Sequence, residues 1–294
     1  MPNVALLVFA LAGFAANSLL TRGALGGGHL DPLGFMLIRL WSGALVLNLL
    51  VRLRATPRVG VGTWGMSAAL AGYALAFTLA YTRIPAGAGA LLLFAAVHLT
   101  MVAAGVMRGE RPHAFGIVGN VLAFAGLVTL TAPGLDAPDP VGAALMVVAG
   151  AAWGVYSLKG RGSRDPLATT ADNFLRAAAL VLPSIIWAGP WQGADTQGVT
   201  LALTSGAIAS GLAYASWYAV LPSLAAWRAA LLQLAVPILA AIGATWLLAE
   251  PVTPRLIGAI LLVVGGISIA TFGVRTKTTF VGEPGLQARR RPRG

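Results

Sequence analysis

Ten apolar stretches, each long enough or nearly long enough to cross a bilayer, occupy almost the whole chain, with short loops between them. That pattern fixes the solvent before any motif is read. Hydrocarbon cannot hydrogen-bond a backbone, so each crossing must satisfy its own amides as a helix unless the chain closes into a barrel. A helix needs about 20 apolar residues to cover a hydrocarbon core of roughly 30 Å. Barrel strands are about half that long and alternate in polarity, and these runs are neither short nor alternating. The expected fold is therefore all-α and integral to a membrane. Its ten transmembrane helices are expected over Val4 to Leu20, Pro32 to Val51, Trp64 to Tyr81, Pro85 to Met107, His113 to Thr131, Val141 to Leu158, Leu167 to Ala188, Val199 to Val220, Leu224 to Leu248 and Pro254 to Val274.

Composition agrees. Charged residues make up 10% of the chain, against about 25% in a soluble domain, so a water-facing surface is missing. The net charge of +11 would suggest nucleic acid in a soluble protein. Here the basic residues sit in loops and in the tail, which fits membrane lipid as the partner and not nucleic acid. The chain has no cysteine, which excludes disulfides and thiolate metal sites. Val4 to Leu20 resembles the apolar core of a signal peptide. Only Met-Pro-Asn precedes it and the next span follows closely, so it reads as the first membrane helix.

Loop charges give an orientation. With both termini in the cytoplasm, the inner loops hold Arg52, Arg54, Arg58, Arg108, Arg111, Lys159, Arg161 and Arg164. The tail adds Arg275, Lys277, Arg289, Arg290, Arg291 and Arg293, while the outer loops hold only Arg22, Arg83 and Arg255. Fourteen basic residues inside against three outside satisfy the positive-inside rule. Asp136, Asp139 and Asp195 fall in outer loops. The expected location is a bacterial inner membrane.

The chain also repeats itself. Tyr81-Thr-Arg-Ile-Pro85 opens onto the fourth span, and Tyr218-Ala-Val-Leu-Pro222 opens onto the ninth. The same offset relates Gly13 to Gly150 and Arg39 to Arg176, and Asp31-Pro32 and Asp165-Pro166 each precede a span. Residues 1–135 and 136–275 thus read as two copies of a five-helix unit, with 276–294 a disordered basic cytoplasmic tail. Five is odd, so the two copies sit inverted in the membrane. That arrangement places a substrate site near the midplane between them.

Several local patterns carry a family likeness. They are Phe35-Met-Leu-Ile-Arg39 in the second span, Trp153-Gly-Val-Tyr156 in the sixth and Pro237 in the ninth. Glu250-Pro251-Val252, Gly258 and Gly265-Gly266 follow. With ten helices in a five-plus-five inverted repeat, the chain resembles the drug/metabolite transporter superfamily in its EamA-type branch, and most of all the bacterial aromatic amino acid exporters. The resemblance implies alternating access around a central cavity and both termini in the cytoplasm. The first half is the less faithful copy, since Gly109-Glu110-Arg111-Pro112 stands where the second half has its Glu-Pro pattern.

Absences narrow the chemistry. No Asp or Glu lies in the middle of a span; Asp172, a turn or so into the seventh, is the deepest. Proton-coupled carriers commonly use an intramembrane carboxylate, so the chain is expected either to run as a facilitator down a concentration gradient or to couple through something else. No HExxH, P-loop or dinucleotide fingerprint is present, and no enzyme activity, cofactor or metal is expected.

The candidate substrate-binding residues are His98, Trp153, Tyr156, Tyr214, Tyr81, Trp217, Asn17 and Gln233. His98 is the one imidazole in the core of a span, and ionisable groups there are functional by default. A neutral histidine donating to a neighbouring carbonyl is the plainer alternative. Trp153 and Tyr156 share a face of the sixth span, and Tyr214, Trp217 and Tyr218 a face of the eighth. Turned inward, these rings make a wall suited to flat amphipathic solutes. For Tyr81, Trp217 and Tyr218 an interfacial belt is the rival reading, and Trp64, Trp187, Trp191 and Trp246 at span ends read as belt anchors. Asn17 and Gln233 offer amides, the latter beside a carbonyl that Pro237 deprives of its helix partner. Arg39, Arg176 and Arg228 read first as structural, reaching loop carbonyls or headgroups, and second as holders of an anionic group.

The expected function is secondary export of small organic metabolites, best matched by aromatic and other neutral amino acids. Drug cations, nucleosides and sugar-phosphates are the alternatives within transport, and a membrane-embedded enzyme or lipid-handling scaffold outside it.

Overall fold

The computed structural model describes residues 2–54, 61–107, 109, 114–132, 134, 137–160, 163–186, 193–220, 232–233 and 235–272. The expected tail, Arg228, Trp187 and Trp191, and the Gly-Glu-Arg-Pro stretch apart from Gly109 lie outside the described residues. Among the described residues the regular structure is helical, with no strand. The helices are α1 (Pro2–Gly26), α2 (Pro32–Leu53), α3 (Trp64–Tyr81), α4 (Ala86–Met107), α5 (Ala114–Thr131), α6 (Pro140–Gly160), α7 (Pro166–Val181), α8 (Thr196–Val220), α9 (Ala235–Leu247) and α10 (Pro254–Phe272). Six of them, α1, α2, α4, α5, α6 and α8, are long and apolar enough to cross a membrane by length and composition; α9 and α10 are shorter apolar helices. Leu45, Val121, Phe124 and Leu261 stand exposed on the outside of the bundle, where a water-soluble protein would carry charge.

Local chemistry sets the helix starts. Asp31 Oδ1 accepts from the Gly34 N–H at 2.8 Å, and Asp165 Oδ1 from the Ala168 N–H at 3.1 Å. Each aspartate is followed by a proline at the first helical position, where the missing amide costs nothing. The repeated Asp-Pro dipeptide is thus a pair of helix caps. Thr63 caps α3 and Asp195 caps α8 in the same way.

Two helix ends differ from expectation. α1 continues past Leu20 to Gly26, because nothing breaks it before the glycine run in which Gly28 turns at φ 70°. The seventh span, expected to reach Ala188, stops as an α-helix at Val181 and tightens into a 3-10 turn over Leu182–Ile186. Pro183 lacks the amide hydrogen that would continue the α-helix. The ninth is described as a helix from Ala235, with 221–231 and 234 outside the described residues.

Helix packing follows a simple rule. Among the well-packed neighbours are α5 with α10, α2 with α7 and α4 with α9. To these add α3 with α6 and α1 with α8; α4 with α6 and α1 with α9; and α3 with α7 and α2 with α8. Exchanging each helix n of the first five with helix n+5 returns the same set. Close approach comes from small residues, as membrane helices favour. A Cβ on Gly266 would meet the Gly119 carbonyl oxygen at 2.5 Å, so α5 and α10 cross almost backbone to backbone.

Contacts between helix ends set the direction of each element. At one end of the bundle, Arg22 at the close of α1 meets Glu250 after α9, the Tyr81 carbonyl closing α3 and, through Glu250, the first amide of α4. Arg83 meets Asp139 before α6 at 3.7 Å, His29 before α2 meets Asp195 before α8, and Arg255 at the start of α10 meets the Ala132 carbonyl after α5. At the opposite end, Arg54 after α2 meets Asp165 before α7. α1, α3 and α5 therefore end where α6, α8 and α10 begin; α4 begins where α9 ends, and α2 ends where α7 begins.

Candidate functional site

Spacing on three helices builds a ring cluster in the middle of the bundle. Tyr73, Phe77 and Tyr81 recur every four residues along α3 and so share one face; their centroids are 5.2 and 4.7 Å apart in succession. On α6, Trp153 stacks on Tyr156 at 5.3 Å and 25°. Trp153 also reaches Tyr73 on α3 at 5.1 Å and Tyr214 on α8 at 5.1 Å, edge-on to the latter. Tyr214 then meets Phe174 of α7 and Phe14 of α1, and Phe14 meets Trp217. Offset and edge-to-face contacts are the favourable aromatic geometries. Trp153 is thus the ring that joins the α3 stripe to the α8 stripe.

A polar thread runs beside the rings. Arg39 of α2 is 2% exposed. Its Nη2 donates to the Tyr73 hydroxyl at 3.0 Å, its Nε donates to Ser210 Oγ at 3.3 Å, and its Nη1 has no partner. The guanidinium lies 4.9 Å from the Phe77 centroid and 5.4 Å from that of Tyr73, within cation–π range. Asn17 of α1 donates to the Tyr73 hydroxyl at 3.4 Å and accepts from Ser205 Oγ at 2.7 Å.

Both serines lie in a π-helical stretch of α8, Ser205–Leu212. Such widened turns are rare and frequent at functional sites. Gly206 in this stretch is required by packing, since a Cβ there would collide with Ser42 Oγ and the Arg39 carbonyl oxygen. The missing side chain lets α8 lie against α2 at the level of Arg39.

Six of the eight expected site residues converge here. Tyr81, Tyr156, Tyr214, Trp217 and Asn17 are buried, and Trp153 is half-buried. His98 engages a different neighbour: its Nε2 is 3.1 Å from Asn120 Oδ1 of α5, a side-chain amide in place of a backbone carbonyl. Gln233 is half-buried beside residues outside the described set. Trp64 and Trp246 stand exposed at helix ends, as belt residues do. The two repeated arginines part company. Arg176 donates to the Gly62 carbonyl at 2.5 Å and lies over Trp64, which is the expected structural role. Arg39 instead points into the centre. Sequence reasoning also passed over Tyr73, Phe77, Ser205 and Ser210. The four-residue spacing leading to Tyr81, and a small polar pair five residues apart in α8, were the available signals.

Ion pairs tie the helix ends. Glu250 accepts from Arg22 Nε at 3.0 Å and from the Ala86 amide at 2.7 Å, and Arg22 Nη1 donates to the Tyr81 carbonyl at 3.0 Å. This one carboxylate links α1, α4 and α9. At the other end the Asp165 carboxylate, hydrogen-bonded to Arg54, raises that guanidinium's pKa above its ordinary value. Outside the spans, the Gly198 amide and then the His29 ring hold the Asp195 carboxyl below the usual carboxylate range.

Comparison with known proteins adds independent information. Residues 140–272 match the EamA-like transporter family. An uncharacterized protein of Pseudomonas aeruginosa is 48% identical, over 90% of this chain and 92% of its own length. A probable amino-acid metabolite efflux pump of Salmonella typhimurium is 25% identical, over 85% of this chain and 89% of its own. A solved crystal structure aligns with a TM-score of 0.63 at 22% identity, covering 90% of this chain and 98% of that one, which supports the fold.

Proposed function

Because the chain belongs to the EamA-like transporter family, and is thus a multi-pass membrane protein that moves small molecules, we propose that it exports aromatic and other neutral amino acids by alternating access. The observation that carries the reading is Trp153, whose ring touches Tyr73 of α3 and Tyr214 of α8 and so joins the two halves of the chain. Stacked ring faces with a few hydroxyl and amide groups among them are what a flat amphipathic solute needs. The Salmonella typhimurium relative, a probable amino-acid metabolite efflux pump by name, supports amino-acid metabolites as the broader solute class.

In this reading the two halves, 1–135 and 136–275, are inverted copies of one five-helix unit. The exchange rule in the helix packing and the opposed directions of helices n and n+5 both support it. Inverted copies give a carrier two access states of similar energy around one site. Solute moves the balance between them only through different affinities for the two.

The charge count along the loops supports cytoplasmic termini in an inner membrane. The Arg22–Glu250 bridge then closes the outer end. With no carboxylate in the middle of a span, transport runs down the solute gradient without a coupled proton. The test is efflux of labelled phenylalanine, tryptophan, threonine and lysine from liposomes holding the pure protein, with and without a pH gradient. Efflux of the aromatic solutes unaffected by the gradient is expected. Flux that collapses without a gradient would remove the facilitator reading, and no flux of any of the four would remove amino-acid export.

A further inference from the structure

We propose that Arg39 is the anchor for a carboxylate on the transported solute, an inference that rests on the transport reading and names the chemistry of its site. A guanidinium stays charged in any protein environment and carries five donors in a rigid fork. Burying such a charge is costly unless it is paired. Arg39 is 2% exposed, yet its partners are the neutral hydroxyls of Tyr73 and Ser210 and two ring faces. Among the described residues no carboxylate lies within ion-pair distance of it, and Nη1 donates to nothing.

Five other arginines differ. Arg22 meets Glu250, Arg54 meets Asp165, Arg83 meets Asp139, and Arg176 and Arg255 meet backbone carbonyls. Each of these takes a partner from the chain and fastens helix ends. Arg39 instead joins interior hydroxyls on α3 and α8 and leaves Nη1 unspent in the interior.

Its surroundings suit a carboxylate. The guanidinium carbon lies near the Tyr73 and Phe77 rings, and of its three nitrogens Nη1 is the one left to be used. A carboxylate accepts charge-assisted N–H···O bonds from a guanidinium, and Nη1 supplies the free donors. The wall of Tyr73, Trp153 and Tyr214 rings begins at the same tyrosine, so a solute held by its carboxylate at Arg39 lays an apolar or aromatic body on that wall. The π-helical stretch carrying Ser210 places the second hydroxyl partner of Arg39 on α8, the helix that also carries Tyr214. The solute class is therefore a small carboxylate with an apolar body, and a drug cation or a neutral nucleoside is a poor match.

The test uses four probes of one shape: phenylalanine, phenylalaninamide, hydrocinnamate and phenethylamine. Binding to the detergent-purified full chain is read as ligand-induced thermal stabilisation, and flux is read in liposomes. Phenylalanine and hydrocinnamate are expected to bind about tenfold or more tightly than the two probes lacking a carboxylate. Arg39→Gln should remove that preference while leaving the weak binding of the amine probes unchanged, and Arg39→Lys should retain part of it. Equal affinity of the wild-type protein for phenylalanine and its amide overturns the proposal, and so does an Arg39→Gln protein that weakens all four alike. If Arg39→Gln does not fold, Arg39→Lys decides: a carboxylate preference undiminished from wild type in that variant overturns the proposal. Carboxylate-selective binding without flux would leave Arg39 standing and remove the transport reading; flux without a carboxylate preference would do the reverse.

Discussion

The Arg39 Nη2 lies 3.0 Å from the Tyr73 hydroxyl, and the same hydroxyl receives the Asn17 amide at 3.4 Å. One phenol oxygen thus serves two donors from α2 and α1. Tyr73→Phe keeps the ring and removes that acceptor, leaving a buried cation with a single hydroxyl partner. Loss of a buried acceptor costs about 1–3 kcal/mol. The variant should melt at a lower temperature than wild type in the same detergent, and an unchanged melting curve would show that the bond contributes nothing.

Gly206 and Gly258 form a matched pair. A Cβ at Gly206 collides with α2, while one at Gly258 meets nothing within 4 Å. Gly206→Ala is expected to destabilise by about 1–3 kcal/mol through overpacking. Gly258→Ala should be neutral or gain up to about 1 kcal/mol from helix propensity. Thermal unfolding of the two single variants side by side checks the sign of each.

Breaking the Arg22–Glu250 bridge should loosen one end of the bundle. The protein has no cysteine, so Ser18→Cys, at a position 1% exposed and one turn before Arg22, is a clean reporter. Adding Glu250→Gln should raise its labelling rate by a membrane-impermeant maleimide about threefold or more. Equal rates with and without the bridge would exclude it as a closure.

Asp195 sets a pH dependence in the acid range. Its carboxyl is depressed by the Gly198 amide and by His29, so the stability it contributes is present above the unfolded value of about 4. That stability is lost as pH falls through the lower folded value. Asp195→Asn should flatten this part of a melting-temperature profile taken from about pH 6 down to about pH 3. The group is half exposed, so the effect is small; a profile of unchanged slope would contradict it.

Much of the architecture could be read from the chain because membrane solvent forces it. Apolar length gave the described helices, and Asp31-Pro32 and Asp165-Pro166 gave two of their starts. Helix ends at Gly26 and Val181 were less legible, since a glycine run and Pro183 each act a few residues from where hydropathy falls. The ring faces of α6 and α8 were readable because their members are three or four residues apart. Arg39 was not. Its partners Tyr73 and Ser210 are 34 and 171 residues away, and periodicity within a helix does not report what that helix faces. Matching Arg39 with Arg176 by offset even pointed away from the site, because Arg176 serves a loop.

The most direct measurement compares Trp153→Ala with Trp246→Ala in phenylalanine and tryptophan efflux from liposomes. Trp153 joins the rings of α3 and α8, whereas Trp246 is 84% exposed at a helix end. If the ring cluster is the solute's resting place, Trp153→Ala lowers efflux by about tenfold or more, while Trp246→Ala leaves it near wild type, both proteins remaining folded. Equal efflux through the two variants would contradict a solute site at the centre of the bundle.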